Sequence, residues 1–437
     1  MTANLRKLWM NLLGSYWFIP TILTILAFLL ALGTTWIDRN GGSQWLSYLP
    51  WYEPSRPEGA RAQLTVIASA MIAISSTVFA ITIAAVAYAS GNYGPRLLTN
   101  FMNDRGNQVS LGVFIATFVY NLMILRVVRN PGDGAAGPAE AAAFVPQVSV
   151  LVSALSMLVG VAVLVFFLHH IPAGIRINTV LGGIGRRLIH GIEKRFPEEA
   201  NALEPEPAGP GEAVKAASIG YIEIIDFAEL DSIARKEDAV ISLQVRTGDF
   251  VHPHLPMAEI AGVRLHRKLQ ERIRSCFSLG DSRTPTQDLE FLIDELVEIA
   301  VRALSPGIND PFTAITSLHW MGAALAKLAD RNLVRGPEQD NYDPGRVRPV
   351  ADDFEHFVRR SFGGVRASAA ANPTAGEVFL DALRGVALGA TSPHRRAVLL
   401  EEGRRLVRQA ETILEGPALE GVRERLGRFQ ADVAAAR

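Results

Sequence analysis

Four long stretches free of Arg, Lys, Asp and Glu fill most of the first 170 residues: Tyr16–Trp36, Ala62–Tyr93, Val109–Leu125 and Ala141–Leu168. A hydrocarbon core about 30 Å thick takes roughly 20 residues of apolar helix, so each stretch predicts a membrane span. The third is the shortest, and Arg126 and Arg129 at its end must reach back toward a headgroup layer. Tyr16, Trp17 and Trp36 bracket the first span, while Trp45, Trp51 and Tyr52 suit a loop lying at the interface. Arg6 and Lys7 precede the first run as in a secretory signal. That run exceeds the roughly 7–15 residues of a signal core and leads into Trp36, Asp38 and Arg39, so the first span is expected to be retained.

Beyond His170 the pattern changes. Pro172–Phe196 reads as a basic, partly amphipathic helix, with Ile175, Val180, Leu181, Ile184, Leu188 and Ile192 among basic positions. Anionic inner-leaflet lipid would attract its Arg186, Arg187, Lys194 and Arg195; the alternative is an ordinary juxtamembrane helix. Pro197–Gly211 reads as a linker. A small β-rich module follows: strand Tyr221–Ile225, a helix capped by Asp226 with Glu229 and running to Ala234, and strand Val240–Val245 with Ile241, Leu243 and Val245 on one face. A Thr247–Asp249 turn and an irregular return over Phe250–Ile260 complete it. The rest is helical. Thr284-Pro285-Thr286-Gln287 reads as a helix start with Thr284 as N-cap. Leu289, Leu292, Ile293, Leu296 and Ile299 then share a face. Ser305-Pro306-Gly307 ends that helix and Asp310-Pro311 begins another, with Ile315, Leu318, Gly322 and Leu325 on one face. After a loop over Arg335–Pro349, three or four more helices complete the chain. The expected fold is therefore an integral membrane four-helix part (residues 1–171), a juxtamembrane helix and linker (172–217), a β-rich module (218–262) and a cytosolic helical domain (263–437).

Charge sets the orientation. Nine basic residues flank the spans on the side holding both termini and five on the other, which favours cytoplasmic termini. A formal net charge of −1 gives no field that would recruit nucleic acid. The single cysteine, Cys276, excludes an intrachain disulfide framework and a cysteine zinc cage.

Candidate chemistry is sparse. Ser69 and Ser76 share one face of the second span, and Ser75 and Thr82 another. Such hydroxyls line a hydrated path or pack helices together. Asn121, with Thr117 and Tyr120, is the most polar mid-span group and must find a partner. The spans carry no carboxylate or lysine for a proton relay, which argues against a pump. His169 and His170 close the fourth span as interface residues or a pH-sensing gate. His252 and His254 would share one strand face near Asp249, a spacing that matches no strong metal signature. Ser305, Gly307, Asn309 and Asp310 form the best-defined motif outside the spans. It is a rigid corner, with Gly307 free to take positive φ and Asp310 to cap the next helix, or a ligand or subunit contact. No nucleotide, nucleophile-elbow or metalloprotease signature occurs, so no cofactor, metal or enzymatic activity is expected.

The run Ser90-Gly91-Asn92-Tyr93-Gly94-Pro95-Arg96-Leu97-Leu98, the segment Asp104–Gln108, the start Arg283–Asp288 and the stretch Ala303–Ala314 together resemble the domain-of-unknown-function 2254 family of predicted bacterial membrane proteins. The resemblance runs from the first span to about Trp320. It implies a bacterial inner-membrane protein with a cytosolic C-terminal part, and it carries over no catalytic residue. The reading that follows is an oligomeric channel or transport-related protein, a homo-oligomer because four short charge-free spans enclose a pore poorly alone. The alternative is a membrane-anchored signalling or scaffolding protein whose cytosolic domain binds a ligand or partner.

Overall fold

The structure, a computed structural model, describes residues 12, 15–48, 53–94, 96, 104–130, 143–196, 211–335 and 341–435. Arg6, Lys7, Trp51, Tyr52, the linker over 197–210, and Pro95, Leu97 and Leu98 lie outside the described residues. The chain divides into two compact units with a boundary at Arg176/Ile177.

The first unit holds α1 (Phe18–Arg39), a short 3-10 turn (Gln44–Tyr48), α2 (Pro57–Tyr93), α3 (Arg105–Leu125) and α4 (Gln147–Ile175). All four α-helices are long and apolar enough to cross a membrane. At 37 residues α2 is about 55 Å long, well beyond what a bilayer core requires. Helix α3 packs against the other three. The buried layer is built from small and aliphatic residues (Ala27, Ala31, Ala60, Leu64) around Tyr120 and Ile124. Leu26, Leu29, Leu158, Val165 and Leu168 point outward, as surfaces facing hydrocarbon do.

The second unit begins with α5 (Ile177–Arg195), which starts two residues after α4 ends. Helix α4 carries Pro172 inside it, and the break comes at Arg176, whose ψ of 126° leaves the helical region. Two sheets follow. The first has the order β1 (Glu212–Lys215), β5 (Pro256–Ala261), β3 (Val240–Leu243), β7 (Val347–Arg348); the second has β4 (Phe250–Val251), β2 (Gly220–Ile225), β6 (Phe277–Gly280). Only the β3–β7 pairing is parallel. Helices α6 (Phe227–Glu237) and α7 (Arg267–Ser275) help close a core of Ile222, Leu230, Ile233, Ile241, Met257 and Ile273. The period-two face of Ile241, Leu243 and Val245 is buried in that core. Strands β1, β6 and β7 come from outside residues 218–262, because each supplies backbone donors to an edge that local sequence leaves open.

Helices α8 (Leu289–Ala303), α9 (Pro311–Leu328), α10 (Phe354–Ala370), α11 (Pro373–Gly389), α12 (Pro393–Ala410) and α13 (Gly416–Ala435) form the helical part. Helix α8 starts four residues later than the Thr-Pro pattern predicts. Its N-cap is Asp288, whose carboxylate accepts the Phe291 amide at 3.0 Å, while residues 285–287 form a turn. Glycines on α5 set the approach of its neighbours. A Cβ on Gly185 would lie 2.3 Å from the Trp320 ring of α9, and one on Gly191 would lie 2.4 Å from Leu289 of α8. The Gly182–Gly185 run thus serves helix packing. The basic residues of α5 are likewise engaged within the unit. Arg186 lies over Trp320, Arg187 is 3.4 Å from Glu295, and Arg195 donates to the Gln287 carbonyl.

Because rigid ring atoms fill the space beside Gly185, Gly185→Ala forces α5 and α9 apart. It should cost about 1–3 kcal/mol, read as a lower Tm of the purified full-length protein.

Candidate functional site

Residues 283–288 form the hub of the second unit. The Gln287 amide pairs with strand β2 in both directions: the Ile225 amide donates to its Oε1 at 2.9 Å, and its Nε2 donates to the Ile225 carbonyl at 3.3 Å. The Gln287 carbonyl accepts from Thr247 Oγ1 at 2.9 Å and from Arg195. Four parts of the unit therefore meet at one residue: α5, the β2 edge, the Thr247 turn and α8.

A chain of ion pairs spreads from this hub across α8 and α10. Arg283 bonds Asp288 at 2.6 Å and Asp294 at 2.5 Å. Arg360 holds Asp294 through two nitrogens at 2.8 Å each and Glu290 at 2.6 Å; His356 Nε2 lies 2.9 Å from the other Glu290 oxygen. The four-residue spacing of Glu290 and Asp294, and of His356 and Arg360, puts each pair on one helix face. Burial alone would raise Glu290, but the His356 hydrogen bond and the Arg360 and His356 charges outweigh it and hold the carboxyl at about 2. For Asp288 burial wins over Arg283, and its proton affinity is raised.

Beside the chain lies a small cleft of about 20 Å³, lined by Arg195, Arg246, Thr247, Asp288, Glu290, Arg335 and Asp352 with an apolar wall that includes Phe227 and Val245. That volume is room for about one water-sized group. Asp288 and Glu290 are bound to Arg283, Arg360 and His356, none of which lines the cleft. Three guanidiniums, Arg195, Arg246 and Arg335, thus face three carboxylates: Asp288 and Glu290, which are also bound from outside the cleft, and Asp352, on which all three guanidiniums act. The Asp352 side chain is 8% exposed, and burial raises its proton affinity even though three cations oppose the shift. Arg246 Nε is buried without a hydrogen-bond partner and lies 3.6 Å from Asp352, while its Nη2 donates to the Ala351 carbonyl. Arg335 stacks over Phe227, 4.2 Å from the ring centroid. The period-four charges on α8 are legible in sequence; the convergence of residues 195, 246, 335 and 352 is not, because it depends on tertiary packing.

The positions singled out from sequence lie elsewhere. Ser75 and Thr82 are buried, 4% and 2% exposed, with Thr82 donating to the Val78 carbonyl at 2.8 Å. Ser69 and Ser76 face outward and donate to the carbonyls of Thr65 and Ile72 at 2.7 and 3.0 Å. Asn121 is fully buried; its amide donates to the Thr117 carbonyl at 2.7 Å and its Oδ1 accepts from Ser153 of α4 at 2.5 Å. Ser305 donates to the Arg302 carbonyl at 2.7 Å, and Asp310 caps α9 through the Thr313 amide at 3.2 Å and hydroxyl at 2.6 Å. The positive φ of this corner belongs to Asn309, at 50°, and not to Gly307. An Asn tolerates the left-handed region through its short polar side chain.

Sequence reasoning missed Asp38. It belongs to the last turn of α1, is buried, and takes the Val148 and Ser149 amides at 2.9 and 3.0 Å and the Ser149 hydroxyl at 2.7 Å. It thereby caps the start of α4, a role only the fold reveals. His170 Nε2 lies 3.0 Å from both oxygens of Asp104, the N-cap of α3. His252 and His254 sit at a turn, where His252 Nδ1 accepts the His254 amide at 3.3 Å. Among the described residues no group of three or more His, Cys, Asp or Glu is placed to hold a metal.

The two ends of the charge network predict opposite pH responses. Glu290 is held at about 2 against an ordinary 4.5, so its contribution is present above about 4.5 and lost as pH falls toward 2. It amounts to at most about 3 kcal/mol. Asp352 is raised, so its contribution is full at acid pH and lost as pH rises through its folded value. In Tm–pH profiles of the full-length protein, Glu290→Gln should flatten the acid limb and Asp352→Asn should remove the loss on the higher side.

Comparison with known proteins agrees with the membrane character of the first unit. Uncharacterized proteins of Mycobacterium bovis and of Mycobacterium tuberculosis are each 28% identical over 374 residues, covering 81% of this chain and 69% of theirs. No solved structure matches the chain. Residues 14–385, which include the four apolar helices and the hub at 283–288, match a family described as a predicted membrane protein, and the chain belongs to this DUF2254 family.

Proposed function

We propose that this is a membrane-anchored ligand-binding protein of the bacterial inner membrane, with both termini and the second unit in the cytoplasm. The cleft at Asp352 takes one oxygen of an anionic group, such as a phosphate or carboxylate whose remaining atoms stay at the cleft mouth. The observation that carries this reading is the convergence of Arg195, Arg246 and Arg335 on buried Asp352, where Arg246 Nε lacks a hydrogen-bond partner. An entering anion competes with ionised Asp352 for Arg195, Arg246 and Arg335, so protonation of Asp352 favours binding. Helix α5 begins two residues after α4 in the chain and ends with Arg195 in the cleft. The nine-to-five distribution of basic residues supports the orientation.

The test is calorimetric titration of the full-length protein in nanodiscs with inorganic phosphate. Asp352→Asn should tighten binding roughly tenfold, about 1.4 kcal/mol, and Arg246→Met should weaken it by at least as much. Binding should also tighten as pH falls. Absence of heat with both the parent and Asp352→Asn, or an unchanged affinity in Arg246→Met, rejects the reading.

A second reading, an oligomeric channel, draws on the outward-facing hydroxyls of α2, Ser69, Ser76 and Thr77. Around an oligomer axis these would line a path for a small ion, with Ser75, Thr82 and Asn121 behind them. Ser76→Val should then reduce ion flux into proteoliposomes with no loss of Tm. Silence of the parent protein across ions and pH removes this reading and leaves the first one standing.

A further inference from the structure

The corner joining α8 and α9 presents apolar side chains to its surroundings on a rigid support. Phe312 is 75% exposed, the highest value for a large apolar residue in the second unit among the described residues, and Ile308 is 46% exposed. The support is closed by hydrogen bonds. The Asn309 amide donates to the Ser305 carbonyl at 2.9 Å, the Asp310 amide to the Ala303 carbonyl at 2.8 Å, and the Asp310 carboxylate turns back to cap α9. Isolated exposed apolar residues are ordinary on protein surfaces, so their place in the fold decides what they mean.

Two registers give that place independently. Helix α9 runs parallel to α5: Trp320 meets Gly185, and Lys327 lies 3.1 Å from Glu193. Eight residues back from each member of the first contact, about 12 Å at 1.5 Å per residue, are Phe312 and Ile177. Helix α8 runs antiparallel to α5: Leu289 meets Gly191, and Glu295 pairs with Arg187. Eight residues further along it is Ala303, level with Thr179. Both place the corner beside the first turn of α5, at the end of the bundle from which the chain enters the apolar helix α4.

Two turns at this end are poor in charge. Residues 304–312 carry one charged side chain, Asp310, which is spent as a cap, and residues 367–376, the turn between α10 and α11, carry none. That turn lies at the same end, because α10 runs parallel to α8 through the Asp294–Arg360 pair and the contact of Val297 with Gly364. The opposite end holds the ion-pair chain and the cleft. The third turn at this end, between α12 and α13, carries Glu411 and Glu415, so the charge-poor surface is the 304–312 corner with the 367–376 turn and not the whole end. An apolar tip of this kind beside the helix that follows a span is the composition of a surface that rests in a bilayer interface. We propose that the corner 304–312 docks on lipid, with Ile308 and Phe312 inserted at the level of the headgroups. This does not depend on what the cleft binds.

Ile308→Cys and Phe312→Cys, each carrying an environment-sensitive fluorophore, test it in full-length protein reconstituted into phosphatidylethanolamine–phosphatidylglycerol vesicles. Leu255→Cys, exposed in the β-rich part, serves as the control. The native Cys276 is buried and its thiol is raised by that burial, so it stays unlabelled. Phospholipid with a shallow nitroxide should remove roughly half or more of the emission at 308 and 312, since interfacial side chains lie ~5–10 Å deep, and little at 255. Emission at 308 and 312 matching the control overturns the proposal. A shielded label that lipid nitroxide does not quench overturns it too, and assigns the corner to a protein contact.

Discussion

Trp320 lies against Gly182 and Gly185 because neither carries a Cβ, and that contact fixes the depth and register at which α9 meets α5. Gly191 does the same for Leu289 of α8. Once these two helices are set on α5, the rest of the helical part follows. Helix α10 is held to α8 by Asp294 and Glu290, and a Cβ on Gly322 of α9 would stand 3.4 Å from Ala382 of α11. The register also decides which residues share an end of the bundle. Residues 283–290 fall beside Arg195, and the 304–312 corner falls beside Ile177.

The charge chain on this scaffold contributes more to position than to stability. Taking ions out of water costs several kcal/mol each, and mutual attraction recovers this only with good geometry and satisfied valences. Glu290 meets that condition, with a partner on each oxygen, and its ionised form is favoured. Asp352 does not: burial raises its proton affinity despite three nearby cations. Neighbouring carboxylates with opposite responses mark the point where the network stops being self-sufficient, and such points concentrate at functional sites.

The spans were legible in sequence because absence of charge over 20 residues has one physical meaning. The period-two face of Ile241, Leu243 and Val245 and the helical face of Leu289, Leu292, Ile293 and Leu296 were legible for a similar reason: periodic burial writes itself along the chain. Caps were read less well. Thr284-Pro285 carries a sound helix-start signature, yet Asp288 prevails because Gln287 is drawn into pairing with β2, which holds the preceding residues in a turn. The positive φ was assigned to Gly307 on intrinsic freedom and falls on Asn309, where the hydrogen bonds of the corner need it. Asp38, the strands at 212–215, 277–280 and 347–348, and the cleft were not legible, since each depends on partners tens of residues away.

The interior of the first unit bears on the choice between anchor and channel. Asn121 and Ser153 satisfy each other, Tyr120 lies 3.0 Å from Thr34 and donates to the Ser149 carbonyl at 3.1 Å, and Asp38 takes the amides that open α4. A water-lined route keeps polar groups available to the permeating species, whereas here the central ones are used between helices, as polar glue in a bundle is. The second unit shows the complementary pattern, with guanidiniums gathered at one buried carboxylate and a buried Nε lacking a partner. The incompletely satisfied group lies at the far end of α5, about 28 Å of continuous helix from its first residue. Polar groups satisfied between helices in one unit and a guanidinium left short of a partner in the other are the two opposite ways in which a fold treats buried polarity.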